Sequence, residues 1–228
     1  MKNIAVIPAR GGSKRLPNKN ILSLGGIPLI AHSIVAAQKS SHCIDAIYVS
    51  TDDPEIKKIA IAYGANVVDR PPHLSGDLEP TVTALKNVLE NIDIQIDNVF
   101  LLQPTNPLRP PNLIEEAFQV FEKNKADSLM TVSLNHQKFG KIKDNMFIPF
   151  NYIIGQRSQD LEPLYFENGL LYIMKAALIL QEKLVGPRHF PMIVAHPFAV
   201  VDIDHQCDLD YATYLYQKYN IQNTKNPI

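Results

Sequence analysis

Short apolar runs alternate with amphipathic stretches from Asn3 to Ser133, and this alternation constrains the fold more than any other feature of the chain. Asn3 to Pro8 reads as a buried strand, Pro28 to Lys39 as a helix, and Ala46 to Ser50 as a second strand. The helix expected over Pro54 to Tyr63 follows a Thr51-Asp52-Asp53 cluster whose side chains can accept from its first amides, and Gly64 stops it. Ala65 to Val68 returns as a strand, Thr81 to Asn91 has helical spacing, and Val99 to Gln103 is a further buried strand. Asn112 to Lys123 then reads as a helix and Ser128 to Ser133 as a strand. Strands that alternate with helices need crossover connections. The expected fold is therefore α/β, a doubly wound, mainly parallel sheet with helices on both faces. Ligands in such sheets bind beyond the carboxyl ends of the strands, which directs attention to the loops after Pro8, Ser50, Gln103 and Val201.

The rhythm breaks between Leu134 and Pro163, a polar segment without helical period that holds short candidate strands around Phe147 and Tyr152. A structureless loop of that length is uncommon inside a domain, so residues 134–163 are expected to form a hairpin-like excursion within a single domain over 1–228. The 46% hydrophobic content is enough to fill one core of that size. A formal net charge of -1 argues against a general binder of nucleic acid or membrane surfaces. Cys43 and Cys207 stand far apart and outside any metal-ligand spacing, which reads as two free thiols in a reducing cytoplasm. The first apolar run stops at Arg10, too soon for a secretory signal, and no stretch approaches the roughly 20 apolar residues of a spanning helix. A cytoplasmic protein is expected.

Three places carry chemistry. PARGGSKRLPNKN, residues 8–20, follows the first strand and sets Arg10, Lys14, Arg15 and Lys19 in one loop with Gly11 and Gly12. Glycines let the backbone approach a ligand and clustered cations suit a polyphosphate. The loop matches neither the Gly-Lys-Ser/Thr phosphate loop nor the three-glycine dinucleotide fingerprint, and a solvated basic turn is the plain alternative. In VVDIDHQCD, residues 200–208, Asp202 and Asp204 alternate along an extended segment and so face one side. Such a pair suits Mg2+, a hard cation that bridges carboxylates to phosphate, or else caps the helix that begins near Leu209. Gln103 ends a buried strand inside LLQPTNPLRPP, residues 101–111, where its amide can meet a sugar or base or simply satisfy the turn. The seven histidines are scattered singly, and no Ser-His-Asp order suggests a hydrolase.

The stretch IAVIPARGGSKRLPNKNI resembles the signature of the acylneuraminate cytidylyltransferases, the CMP-sialic acid synthetase family. The resemblance continues in order through VSTDDPEI at 49–56, YGANVVDRP at 63–71, LSGD at 74–77, LLQPTNPLR at 101–109, Asn168-Gly169 before LLYI, and DIDHQCDLD at 202–210. It implies a doubly wound domain with a small dimerisation excursion, and hence a homodimer. It implies a phosphate-binding loop with Arg10, Gly11, Ser13, Lys14, Lys19 and Asn20, and cytidine framed by Arg70, Asp77 and Thr81. Gln103 and Tyr172 fall at sugar-binding positions, and Asp202 and Asp204 at the pair that holds Mg2+ or Mn2+. Lys19, Arg10 and Asp204 would carry catalysis. The implied reaction joins CTP to a nine-carbon acidic sugar of the N-acetylneuraminate or legionaminate type. Pseudaminate or Kdo as the sugar, or a silent nucleotide-binding module, are the alternatives. Neither nucleic acid nor membrane is an implied partner.

The chain departs from the family pattern in two stretches. Family members commonly carry Arg directly before the Gln of an RQ-type motif. Here Ser158 precedes Gln159 and Arg157 stands one step earlier, with Arg157 the first candidate for the sugar carboxylate and a surface arginine the alternative. Aromatic residues near the sugar's acyl group are replaced by Val185 and Gly186 within LVGPRHF, 184–190, which favours legionaminate over plain N-acetylneuraminate.

Overall fold

The structure, a computed structural model, describes residues 1–219. Along the chain run β1 (Asn3–Pro8), the short pair β2 (Ser23–Leu24) and β3 (Ile27–Pro28), α1 (Leu29–Lys39), β4 (Ala46–Thr51), α2 (Pro54–Ala62) and β5 (Asn66–Asp69). Then come α3 (Thr81–Glu90), β6 (Asn98–Leu101), α4 (Leu113–Lys123), β7 (Ser128–Asn135) and the hairpin β8 (Gly140–Lys143) with β9 (Met146–Pro149). The long strand β10 (Leu164–Lys175), α5 (Ala176–Ile179), β11 (His189–Ile193) and α6 (Gln206–Lys218) complete it. Seven strands form one sheet in the order β11-β7-β10-β6-β1-β4-β5, and only β10 runs against its neighbours. The expected mainly parallel α/β sheet is borne out.

Alternation along β1 explains the two helical layers. Ala5 and Ile7 point into a core shared with Ile30 and Ile34 of α1, Ile56 and Ala60 of α2, and Ala117 and Phe121 of α4. Ile4 and Val6 point the other way, onto Val82, Leu85 and Val88 of α3 and Ala176 and Ile179 of α5. Each Ile, Val, Leu or Phe among them removed from water contributes about 1.5–3 kcal/mol, and strands buried on both faces are what a covered parallel sheet demands. The start of α2 is fixed by its cap: Asp53 Oδ1 accepts from Glu55 N at 2.8 Å and Ile56 N at 2.9 Å, with Pro54 opening the helix. A third apolar cluster joins α6, through Leu209, Ala212 and Leu215, to Leu16, Leu24, Val201 and Ile203. It seats the loop after β1 beside the segment at 201–204.

The differences from expectation lie mostly in the second half. The strand expected over Val99 to Gln103 ends at Leu101, leaving Gln103 in the turn beyond it. In the excursion, Phe147 lies in a strand, but Tyr152 falls in irregular chain. Cys43 is buried and Cys207 exposed, and both are free. Among the described residues no helix is long and apolar enough to cross a membrane.

Candidate active site

Where β1 ends, the chain turns over the carboxyl edge of the sheet and walls a cavity of about 580 Å³. Arg10, Ser13, Lys14, Arg15, Lys19 and Asn20 line it from the loop, and Arg70, Asp77, Thr81 and Gln103 line it from across the cleft. The loop is held from behind. Asn20, 6% exposed, donates through Nδ2 to Arg10 O at 2.9 Å. Gly11 N donates to Asp52 Oδ1 at 3.0 Å, and a Cβ on Gly11 would come within 2.5 Å of Asp53 Oδ2. Gly11 therefore serves close packing of the loop on the start of α2 and is not on the cavity wall.

Carboxylates balance the cations. Arg10 Nη1 meets Asp77 Oδ1 at 2.9 Å, and Lys14 pairs with the same carboxylate. Lys14, then Arg10, hold the Asp77 carboxyl below its ordinary range. Lys19 Nζ donates to Asp204 Oδ1 at 2.7 Å and Arg15 Nη1 meets Asp204 Oδ2 at 2.8 Å. Arg70 is buried, donating from Nε to Ser50 Oγ at 3.1 Å and from Nη2 to Ser50 O at 2.8 Å. Burial pushes its guanidinium down to about 10.

The acidic segment precedes α6 as irregular chain, and of its two aspartates Asp204 lines the cavity while Asp202 does not. Ile203 is fully buried, which turns Asp202 and Asp204 to the other side together. Asp208 Oδ2 accepts from Asp204 N at 3.0 Å and His205 N at 2.7 Å, so Asp208, and not the Asp202–Asp204 pair, supplies the carboxylate that caps α6. Desolvation raises the Asp202 carboxyl above its usual range, a neighbouring Thr105 hydroxyl opposes this, and the Asp204 charge adds to the rise. Among the described residues no three His, Cys, Asp or Glu side chains cluster as a metal cage. Two aspartates nonetheless fit Mg2+ or Mn2+, which Mg2+ in particular binds through one or two carboxylates with phosphate oxygens and water completing the shell.

On the sugar side the outcome is mixed. Gln103 lies on the cavity wall. Tyr172 of β10 is not among the residues that line it; its hydroxyl donates to Glu167 Oε2 at 3.1 Å, and burial and then the Glu167 charge raise its phenol. Arg157 does not line the cavity; it is exposed and forks onto Asp160 at 2.7 and 3.0 Å. Val185 and Gly186 precede β11, which pairs with β7 in parallel from Ser128 onward. They thus sit at the amino edge of the sheet, opposite the cavity, and Gly186 N donates to Ser128 Oγ at 2.9 Å. They do not line this cavity, which corrects the expectation that they shape a pocket in it.

Arg109, which no sequence pattern singles out, supports the site from behind the turn. Burial pushes its guanidinium down to about 9, and it donates to Leu170 O at 2.8 Å, Gln103 O at 3.0 Å and Ser33 Oγ at 3.1 Å. It ties β10 and α1 to the turn bearing Gln103. Its one signal in the sequence is its place among the prolines of the turn after Gln103.

Comparison with known proteins agrees with this geometry. A CMP-2-keto-3-deoxy-manno-octonic acid synthetase complexed with CTP superimposes with a TM-score of 0.72 at 18% identity, over 96% of this chain and 100% of that one, which establishes the shared fold. Residues 4–226 match the family described as Cytidylyltransferase, and the chain belongs to that family of nucleotidyltransferases. It is 36% identical over 228 residues to the pseudaminic acid cytidylyltransferase of Campylobacter jejuni, covering 95% of this chain and 97% of that protein. It is 37% identical over 219 residues to the CMP-N,N'-diacetyllegionaminic acid synthase of Legionella pneumophila, covering 91% and 93%.

Proposed function

We propose that this cytidylyltransferase couples CTP to a nonulosonic acid, a nine-carbon acidic sugar, forming the CMP-sugar and releasing pyrophosphate. The observation that carries the reading is the convergence of Arg10, Lys14, Arg15 and Lys19 with Asp204 in one cavity at the carboxyl edge of the sheet. The cations hold the triphosphate, while Arg70, Asp77 and Thr81 frame the nucleoside end. The sugar's anomeric oxygen attacks the α-phosphorus, its proton passing to solvent. The bond from that phosphorus to the bridging oxygen breaks, and the leaving pyrophosphate collects negative charge beside Lys19 and Arg10. Mg2+ or Mn2+ held by Asp202 and Asp204 would supply charge neutralisation and Lewis-acid polarisation at the phosphate.

Gln103 and Tyr172 are the proposed sugar contacts. Arg157 is retained for the sugar carboxylate on chemical grounds, because a guanidinium meets both oxygens. Its place on the excursion makes that role depend on a second copy of the chain. The proposal includes a homodimer and a cytoplasmic location, where CTP is made. The two relatives, at near-equal identity, support the sugar class without ranking its members.

The test is pyrophosphate release with CTP, Mg2+ and a panel of N-acetylneuraminate, legionaminate, pseudaminate and Kdo. Release with at least one nine-carbon acid, and none when UTP or GTP replaces CTP, is expected. Silence across the whole panel would overturn the reading in favour of a nucleotide-binding module.

A further inference from the structure

Behind the cavity wall, hydrogen bonds join the acidic segment to β10, and Asn106 stands at the junction. Asn106 is 2% exposed in the turn after β6. Its Nδ2 donates to Val201 O at 2.8 Å and to Asn168 O at 3.1 Å. Its Oδ1 accepts from Thr105 Oγ1 at 3.0 Å. Thr105 O accepts from Ile203 N at 2.8 Å. Val201 and Ile203 flank Asp202, so the turn grips the segment on both sides of its first carboxylate.

The other half of the junction is an irregularity in β10, whose register against β7 shifts between Glu167 and Tyr172. Asn168, buried there, accepts at Oδ1 from Thr131 Oγ1 at 2.6 Å and donates from Nδ2 to Ser133 Oγ at 3.0 Å. Gly169 has a φ of +71°, and a Cβ on it would lie 2.6 Å from Asn106 Oδ1. Glycine is needed on both counts: for the left-handed backbone and for the close approach of Asn106.

We infer that Asn106 is a positioning residue whose carboxamide fixes the spacing between the Asp202–Asp204 pair and the bulge of β10 that presents Tyr172. It does not line the cavity and touches no substrate. A carboxamide suits the task because one nitrogen offers two N–H groups to two carbonyls while its oxygen accepts. Aspartate offers no donor and serine only one. The inference rests on reading Asp202 and Asp204 as the metal pair.

Mn2+ binding in the presence of CTP, followed by electron paramagnetic resonance, tests it with wild type, Asn106→Asp and Asp204→Asn side by side. Groups that orient metal ligands from behind typically change affinity by about 10- to 100-fold, and a loss of at least tenfold is expected for Asn106→Asp. Turnover should fall with it. The KM for CTP should move little, because the cationic loop is anchored separately through Asn20 and Asp52. Should Asn106→Asp fail to fold, Asn106→Ser retains one donor and should show an intermediate loss. Wild-type Mn2+ affinity in the Asn106 variant, with affinity lost in Asp204→Asn, overturns the inference alone, even if the variant melts at a lower temperature. Unchanged affinity in Asp204→Asn overturns the metal reading and this inference with it.

Discussion

Lys19 illustrates how much of the site is already in place. Its side chain is 13% exposed, and its ammonium rests on Asp204, which also receives Arg15. A triphosphate entering the cavity would exchange one set of anionic partners for another, so little reorganisation of the cations is needed. Preorganised charge of this kind counts most where charge grows, which here is the departing pyrophosphate. Lys19→Ala should therefore lower kcat by about 10²-fold as well as raise the KM for CTP, the magnitude seen when one preorganised donor is removed. Steady-state kinetics with saturating metal decides the matter. A change confined to the KM would make Lys19 an affinity contact only.

At the scale of elements, α1 shows how a helix can be joined to the neighbouring β2 by one buried polar group. His32 lies on its inner face, 7% exposed, and its Nε2 donates to Leu24 O of β2 at 2.9 Å. Burial pushes the imidazole down to about 4, the bond to Leu24 works against this, and the nearby Arg109 charge adds to the fall. The folded protein keeps His32 neutral while the unfolded chain protonates it near its ordinary pKa of about 6.5. Its contribution to stability is thus complete above about pH 6.5 and is lost progressively as pH falls to about 4, amounting to on the order of 3 kcal/mol. His32→Gln retains a donor and cannot titrate. Its melting temperature should vary less with pH across that window than that of wild type, and parallel curves would assign the acid sensitivity elsewhere.

Elements such as α2 were legible because their signals are local: a capping aspartate, a proline at the first turn, a glycine at the end. Most of β10 was not, because a bulge and Gly169 interrupt the two-residue period by which a strand is read. The cationic loop was visible as clustered charge beyond a buried strand. The part played by Asn106 was not, since its bond to Val201 spans 95 positions and leaves no pattern in either stretch. Resemblance to a sugar site points to Arg157 and Val185, and the fold puts both away from the cavity wall.

At the scale of the whole molecule, the excursion offers surface that a second copy of the chain would cover. Two strands in isolation are marginally stable in water, yet β8 and β9 pair only with each other among the described residues. The hairpin and the chain after it also expose Ile142 at 80%, Phe150 at 68%, Ile153 at 77% and Ile154 at 74%, a concentration of apolar surface that usually marks an interface. The segment leaves the sheet at the carboxyl end of β7, the edge at which the cavity opens. A second copy docked by two-fold symmetry would cover both apolar faces at once, since the same patch meets itself. Light scattering at micromolar concentration should accordingly report about twice the chain's 25.6 kDa. Replacing Ile142 and Phe150 together with aspartate sets like charges against each other across the axis, so the variant should scatter as a monomer while retaining the helical signal of the main domain. A wild-type mass of one chain would refute the dimer. So would a doubly substituted protein that stays dimeric, because the interface would then lie elsewhere than on residues 134–163.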